Sequence, residues 1–112
     1  MEIEIRNLGE VKLLKLTGRL TLGEPVDRLR ATIDDLMAAG DTRFVLDLAA
    51  VSMLDSSGIG LLVRSLTSLK HQGGNLKLLN PTMFAVRTLK MIGLLNLFEV
   101  FEEQQDALAS FK

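Results

Sequence analysis

Asp55-Ser56-Ser57-Gly58-Ile59-Gly60 places an acid, two hydroxyls and two glycines directly ahead of the aliphatic run Leu61-Leu62-Val63. A serine hydroxyl becomes a nucleophile when a general base lies within hydrogen-bond reach. The single histidine, His71, follows Ser56 by fifteen residues and falls at the far end of the same helical segment. At 1.5 Å per residue that is roughly 22 Å, too far for a triad. Lys70, the nearest downstream lysine, is equally remote, and the G-x-S-x-G elbow is absent. Gly58-x-Gly60 begins like a dinucleotide fingerprint, yet Val63 stands where the third glycine belongs. No acid follows between Asp55 and Glu99 to hold a ribose, and there is no G-K-[ST] for a P-loop. The chain therefore carries no expected catalytic group and no expected cofactor.

Metal chemistry is poorly provided for. There is no cysteine and only one histidine, which removes thiolate and multi-histidine sites. Asp34-Asp35 and Glu102-Glu103 are sequence neighbours, and neighbours on a helix point apart, so both pairs read as solvated surface. His71 at a helix C-terminus complements the dipole or faces water. Met37, Met83 and Met91 are expected to fill the core. Thirteen basic and fourteen acidic residues nearly balance, and all five aromatics are phenylalanines in apolar surroundings. That composition lacks the basic stripe and stacking aromatics of a nucleic-acid binder. MEIEIRNLGE lacks the basic start and apolar run of a signal peptide, and MIGLLNLFEVF is too short and interrupted to span a membrane. A cytoplasmic location without direct membrane insertion is expected.

The elements that hold the motif are legible as periodicities. Ile3 and Ile5 alternate with Glu2, Glu4 and Arg6, a half-buried strand; Leu8-Gly9-Glu10 turns, and Val11–Thr17 returns antiparallel. Glu24-Pro25 opens a helix whose apolar stripe is Val26, Leu29, Ile33, Leu36 and Met37, closed by Gly40. Phe44–Leu48 is apolar at nearly every position, as a strand buried on both faces must be. The motif then starts a helix from about Ser57 to Lys70, with Ile59, Leu62, Val63, Leu66 and Leu69 facing the core and either Asp55 or Ser56 as cap. Asn75–Leu79 is the next strand, and a strand–helix–strand order demands a parallel crossover. Asn80-Pro81 starts a further helix lined by Val86, Leu89 and Ile92; Leu97–Val100 forms an edge strand; Ala107, Leu108 and Phe111 line a last helix from Glu102. The expected fold is α/β: one domain over residues 1–112, with a mixed sheet of about four to five strands and helices packed on it. On the outer side of the motif's helix, Gly58, Leu61, Ser65 and Ser68 align at spacings of three and four. A large apolar residue among small ones there predicts a shallow surface for another protein.

FVLDLAAVSMLDSSGIGLLV, followed by HQGGNLKLLNP and VRTLKMIGLLNLFEVFEE, resembles the STAS family, which includes cytoplasmic domains of sulphate transporters and bacterial anti-sigma factor antagonists. The resemblance covers essentially the whole chain, and its most specific part is D-S-S-G after a buried strand. It implies a phospho-switch without catalysis by the chain itself. The first hydroxyl after the aspartate, here Ser56, accepts phosphate from an anti-sigma factor serine kinase, and a PP2C-type phosphatase removes it. Asp55, Ser57, Gly58, Gly60, Leu61 and Ser65 then become the expected partner-binding residues. One segment departs: where antagonists commonly carry G-E-L-D, this chain has Gly18-Arg19-Leu20-Thr21, without either acid. STAS domains also serve as non-switching scaffolds or regulatory subunits of stress-signalling and transport complexes, which is the alternative expectation.

Overall fold

A computed structural model describes residues 1–112. Five strands form one sheet in the order β1-β2-β3-β4-β5: β1 Glu2–Leu8, β2 Val11–Leu20, β3 Arg43–Leu54, β4 Asn75–Leu79 and β5 Val100–Phe101. β1 runs antiparallel to β2, and every other neighbouring pair is parallel. The helices are α1 Glu24–Ala38, α2 Ser56–His71, α3 Met83–Met91 and α4 Gln104–Ala109. The mixed α/β fold expected from the periodicities is the fold observed.

Two adjacent leucines in β2 explain the layering. Leu13 and Leu14 point to opposite faces of a strand, yet both are fully buried. Leu14 and Leu16 join the large core with Leu29 and Ile33 of α1, Leu62 and Leu66 of α2 and Leu89 of α3. Leu13 joins a smaller core on the other face with Val11, Val45, Leu79 and Ala107 of α4. α4 is only six residues long, so it is helped from below by Lys77. The Lys77 ammonium is almost fully buried. It donates to Ser110 Oγ at 2.7 Å and the Ser110 carbonyl at 3.1 Å, lies 3.3 Å from Glu99, and sits 4.2 Å from the centre of the Phe111 ring. A buried cation satisfied on all sides is a register pin whose partners leave together if it is removed.

Several boundaries differ from expectation, each for a local reason. β3 continues past Leu48 to Leu54, and β2 past Thr17 to Leu20, because the two pair with each other through two register shifts that break the simple alternation. Asn80 does not cap a helix: its φ of 51° turns the chain, its N–H donates to the Phe101 carbonyl at 2.6 Å, and Thr82 caps α3 by accepting from the Ala85 N–H. That later start rotates the helix, so Ala85 and Leu89 face the core while Ile92 is half exposed. Met83 and Met91, expected inside, are 70 % and 84 % exposed. Leu95–Leu97 is a 3-10 turn, which moves the edge strand to Val100–Phe101.

Replacing Lys77 by Ala is expected to cost about 1–3 kcal/mol. The loss is concentrated in α4: its amides lose hydrogen-exchange protection while those of α1 and α2 keep theirs, which a residue-resolved exchange experiment reads directly.

Candidate functional site

β2 and β3 end side by side, with Leu20 opposite Leu54, and the motif begins at that end. Asp55 has extended backbone (φ −105°, ψ −177°) and is the N-cap of α2. Its carboxylate makes two bonds in different directions. Oδ1 accepts from the Gly58 N–H at 2.9 Å, satisfying a free donor of the helix's first turn. Oδ2 accepts from the Leu22 N–H at 2.8 Å, fixing the loop between β2 and α1. These two donors, Gly58 first and Leu22 second, hold the carboxyl below the ordinary aspartate range, against the smaller upward push of partial burial. Asp55 is thus a positioning residue committed to the fold on both oxygens.

Gly58 is committed as well. It is buried, and a Cβ built on it would lie 2.2 Å from the Leu20 carbonyl oxygen; only hydrogen fits where α2 crosses the end of β2. Gly60 is the opposite case: exposed, in helical backbone, with nothing within 4 Å of an added Cβ. Mid-helix glycine costs up to ~1 kcal/mol relative to alanine, and no contact inside this chain requires it.

The expected docking face needs correction. Leu61 and Ser65 are buried, at 4 % and 6 % exposure, and with Ser68 they line a small crevice against Asp34 and Met37 of α1. α2 packs on the sheet and on α1 together, so its buried surface is wider than a single core stripe, and Val63 lies at its margin. The exposed face is instead Ser56, Gly60, Arg64 and Thr67, successive positions of one helix side. Ser56 is exposed and Ser57 half-buried. His71 is exposed at the opposite end of α2 from Ser56, so no triad joins them.

Two residues that sequence reasoning passed over complete the surface. Leu22, whose N–H Asp55 holds, is 76 % exposed, and Met53, two residues before Asp55, is 41 % exposed. The available signal was a leucine in the middle of the polar turn Thr21-Leu22-Gly23-Glu24. Ser56 lies at the positive end of α2, beside the one carboxylate of Asp55. α2 directs its positive end there, no acid lies in its first turn beyond the cap, and none occurs from Ser56 to Phe98.

The STAS domain family model matches residues 2–107. Comparison with curated protein sequences returns no significant match. Among solved structures, the anti-sigma factor antagonist SpoIIAA in its unphosphorylated form superposes with a TM-score of 0.85 at 22 % identity, over 98 % of this chain and 96 % of that one. The Bacillus SpoIIAA in its phosphorylated form gives 0.78 at 23 %, over 99 % and 100 %. A sulfate transporter family protein from Wolinella succinogenes gives 0.76 at 23 %, over 90 % and 84 %.

Two outcomes follow from this geometry. Gly58→Ala lowers stability by about 1–3 kcal/mol or more through the clash with Leu20, whereas Gly60→Ala raises it by up to ~1 kcal/mol; urea denaturation of the pair checks both signs. Because the folded-state pKa of Asp55 is depressed, its stabilisation is complete above the unfolded aspartate value of about 3.9 and is lost as pH falls through the lower folded value. Asp55→Ala is therefore less stable than the parent at pH 6, and the gap narrows below pH ~4, as urea midpoints at the two pH values will show.

The buried β2 and β3 ends, the acid-capped D-S-S-G helix and the match over nearly the whole length place this chain in the STAS domain family.

Proposed function

We propose that this chain is an anti-sigma factor antagonist that works as a phospho-switched binding domain. The observation that carries this is Ser56: an exposed hydroxyl in the first turn of α2, one turn from bare Gly60 and next to Asp55, whose carboxylate holds the exposed Leu22. Unmodified, this face docks on an anti-sigma factor serine kinase. Phosphorylation of Ser56 adds about −1.5 to −2 charges at the positive end of the helix, where the fold tolerates them. The same charge and bulk then sit in the middle of the docked surface, where desolvated contacts matter most, and the partner is released. A PP2C-type phosphatase resets the switch. The chain supplies a substrate hydroxyl and no catalytic group, in keeping with a family whose solved members include SpoIIAA in phosphorylated and unphosphorylated forms.

Within this reading Asp55 and Gly58 set the geometry, Ser57 flanks the acceptor, and Gly60 leaves room for the partner's backbone. Leu61 and Ser65 support the helix from behind, so they drop out as partner contacts. A regulatory role without a switch, in a transport assembly, is the second reading. Gly18-Arg19-Leu20-Thr21, at the end of β2 beside Asp55, favours it, as does the likeness to the Wolinella protein.

Incubation with a candidate anti-sigma serine kinase from the same organism and ATP, followed by mass spectrometry, is expected to place one phosphate on Ser56. Ser56→Asp and Gly60→Arg each weaken kinase binding by roughly tenfold or more, a hot-spot effect, with no loss of thermal stability, whereas Ser56→Ala binds and cannot be released by ATP. Phosphate on Ser57 alone, or binding indifferent to Ser56→Asp, overturns the switch.

A further inference from the structure

The two edges of the sheet are unequal. β5 is two residues long and offers little for another strand to pair with. β1 has seven residues, runs in one unbroken register from Glu2↔Thr17 to Leu8↔Val11, and has a neighbour on one side only. Natural proteins blunt such edges with proline, a bulge or charged side chains, lysine above all; EIEIRNL has no proline, lysine or bulge, and its charges, Glu2, Glu4 and Arg6, are of both signs. At its centre Ile5 is 45 % exposed.

The pairing phase of the free side follows from the turn. Leu8 and Val11 flank a two-residue connection and so form its closing hydrogen-bonded pair. Alternation along an antiparallel ladder then directs the N–H and C=O groups of Glu2, Glu4 and Arg6 to β2, and those of Ile3, Ile5 and Asn7 outward. A second β1 laid antiparallel about a two-fold axis at Ile5 meets those groups in phase. Ile5 faces its own copy, and Ile3 faces Asn7 twice, giving about six main-chain hydrogen bonds. Between them Glu4 falls opposite Arg6 of the second copy, also twice. Within one chain Glu4 Oε2 already accepts from Arg6 Nε at 2.8 Å, and both side chains are about half exposed, so the pairs exchange partners with little new desolvation. Slipping the register by two residues one way sets Arg6 against Arg6, which like-charge repulsion disfavours; slipping it the other way sets Glu4 against Glu4 with Glu2 opposite Arg6, and either slip shortens the ladder within β1 to about four main-chain bonds. The register centred on Ile5 keeps the most bonds with no like-charge pair.

We propose that β1 is a self-association edge, through which two copies of this chain join antiparallel about Ile5 into one continuous sheet. α2 packs on β3 and β4, away from β1, so both Ser56 faces stay open in the pair. This association does not depend on the role given to Ser56, and its failure leaves that role untouched.

Sedimentation of the full chain between about 1 µM and 1 mM tests it, the range of affinities a small interface reaches. The expected mass moves from monomer to dimer across that range. Glu4→Arg and Arg6→Glu each weaken association roughly tenfold or more, and an equimolar mixture of the two variants recovers it, because each supplies the sign the other lacks. A second measurement needs no variant: in the parent protein the amides of Ile3, Ile5 and Asn7 gain hydrogen-exchange protection with rising concentration, while those of Glu4 and Arg6 do not change. Monomer mass at the highest concentration, protection independent of concentration, or a mixture no better associated than either variant alone overturns the proposal.

Discussion

Everything at the site hangs on the two oxygens of Asp55. One closes the first turn of α2 through Gly58, the other holds the Leu22 amide of the β2–α1 loop, and the residue itself ends β3. The β3–α2 junction and the β2–α1 loop, thirty-three positions apart, therefore meet at one carboxylate. Such a bond is strong because the acceptor is charged and the donors are backbone amides with no alternative partner. An asparagine would keep one acceptor oxygen and lose the other, leaving either the helix turn or the loop unheld. The acid is required for geometry, and the adjacent Ser56 hydroxyl is left exposed.

The sheet makes that arrangement stiff. Its central strands are covered on both faces, by α1, α2 and α3 on one side and by α4 with Phe101 and Phe111 on the other. β2 and β3 can then run on to Leu20 and Leu54 with only each other as partners, carrying the site beyond the end of β4. Open α/β sheets place their functional groups at the carboxyl ends of parallel strands. Here that end holds no crevice. It is filled by the glycine contact between α2 and β2.

How much of this is legible in the sequence depends on which force acts at each residue. Phe44–Leu48 and the stripe Val26, Leu29, Ile33 declare themselves, because burial alone sets their pattern. Asp55 and Ser56 are also legible, since capping is local chemistry. The error lies in the face of α2: Leu61 and Ser65 read as exposed only if the helix has one neighbour, and α1 makes a second. Leu22 could not be placed because its position depends on a hydrogen bond to a residue thirty-three positions away. Asn80-Pro81 misled for a related reason: the pair has the composition of a helix start, but a bond to Phe101 captures the Asn80 amide and the helix waits for Thr82.

The two glycines of the motif sit in opposite surroundings. Both open the same helix, and a spacing rule treats them alike. Gly58 is fixed by a carbonyl that leaves no room for a methyl group, so its cause lies wholly inside the chain. Gly60 has open space around it and carries the helix-propensity penalty of glycine with no internal return. Nothing inside the chain accounts for Gly60, which lies one turn from Ser56 on the same exposed side; the proposed docking surface would account for it. In the proposed switch, a phosphate on Ser56 and the missing side chain at Gly60 would act on that surface through different physics, one electrostatic and one steric, over a backbone that Asp55 and Gly58 hold fixed.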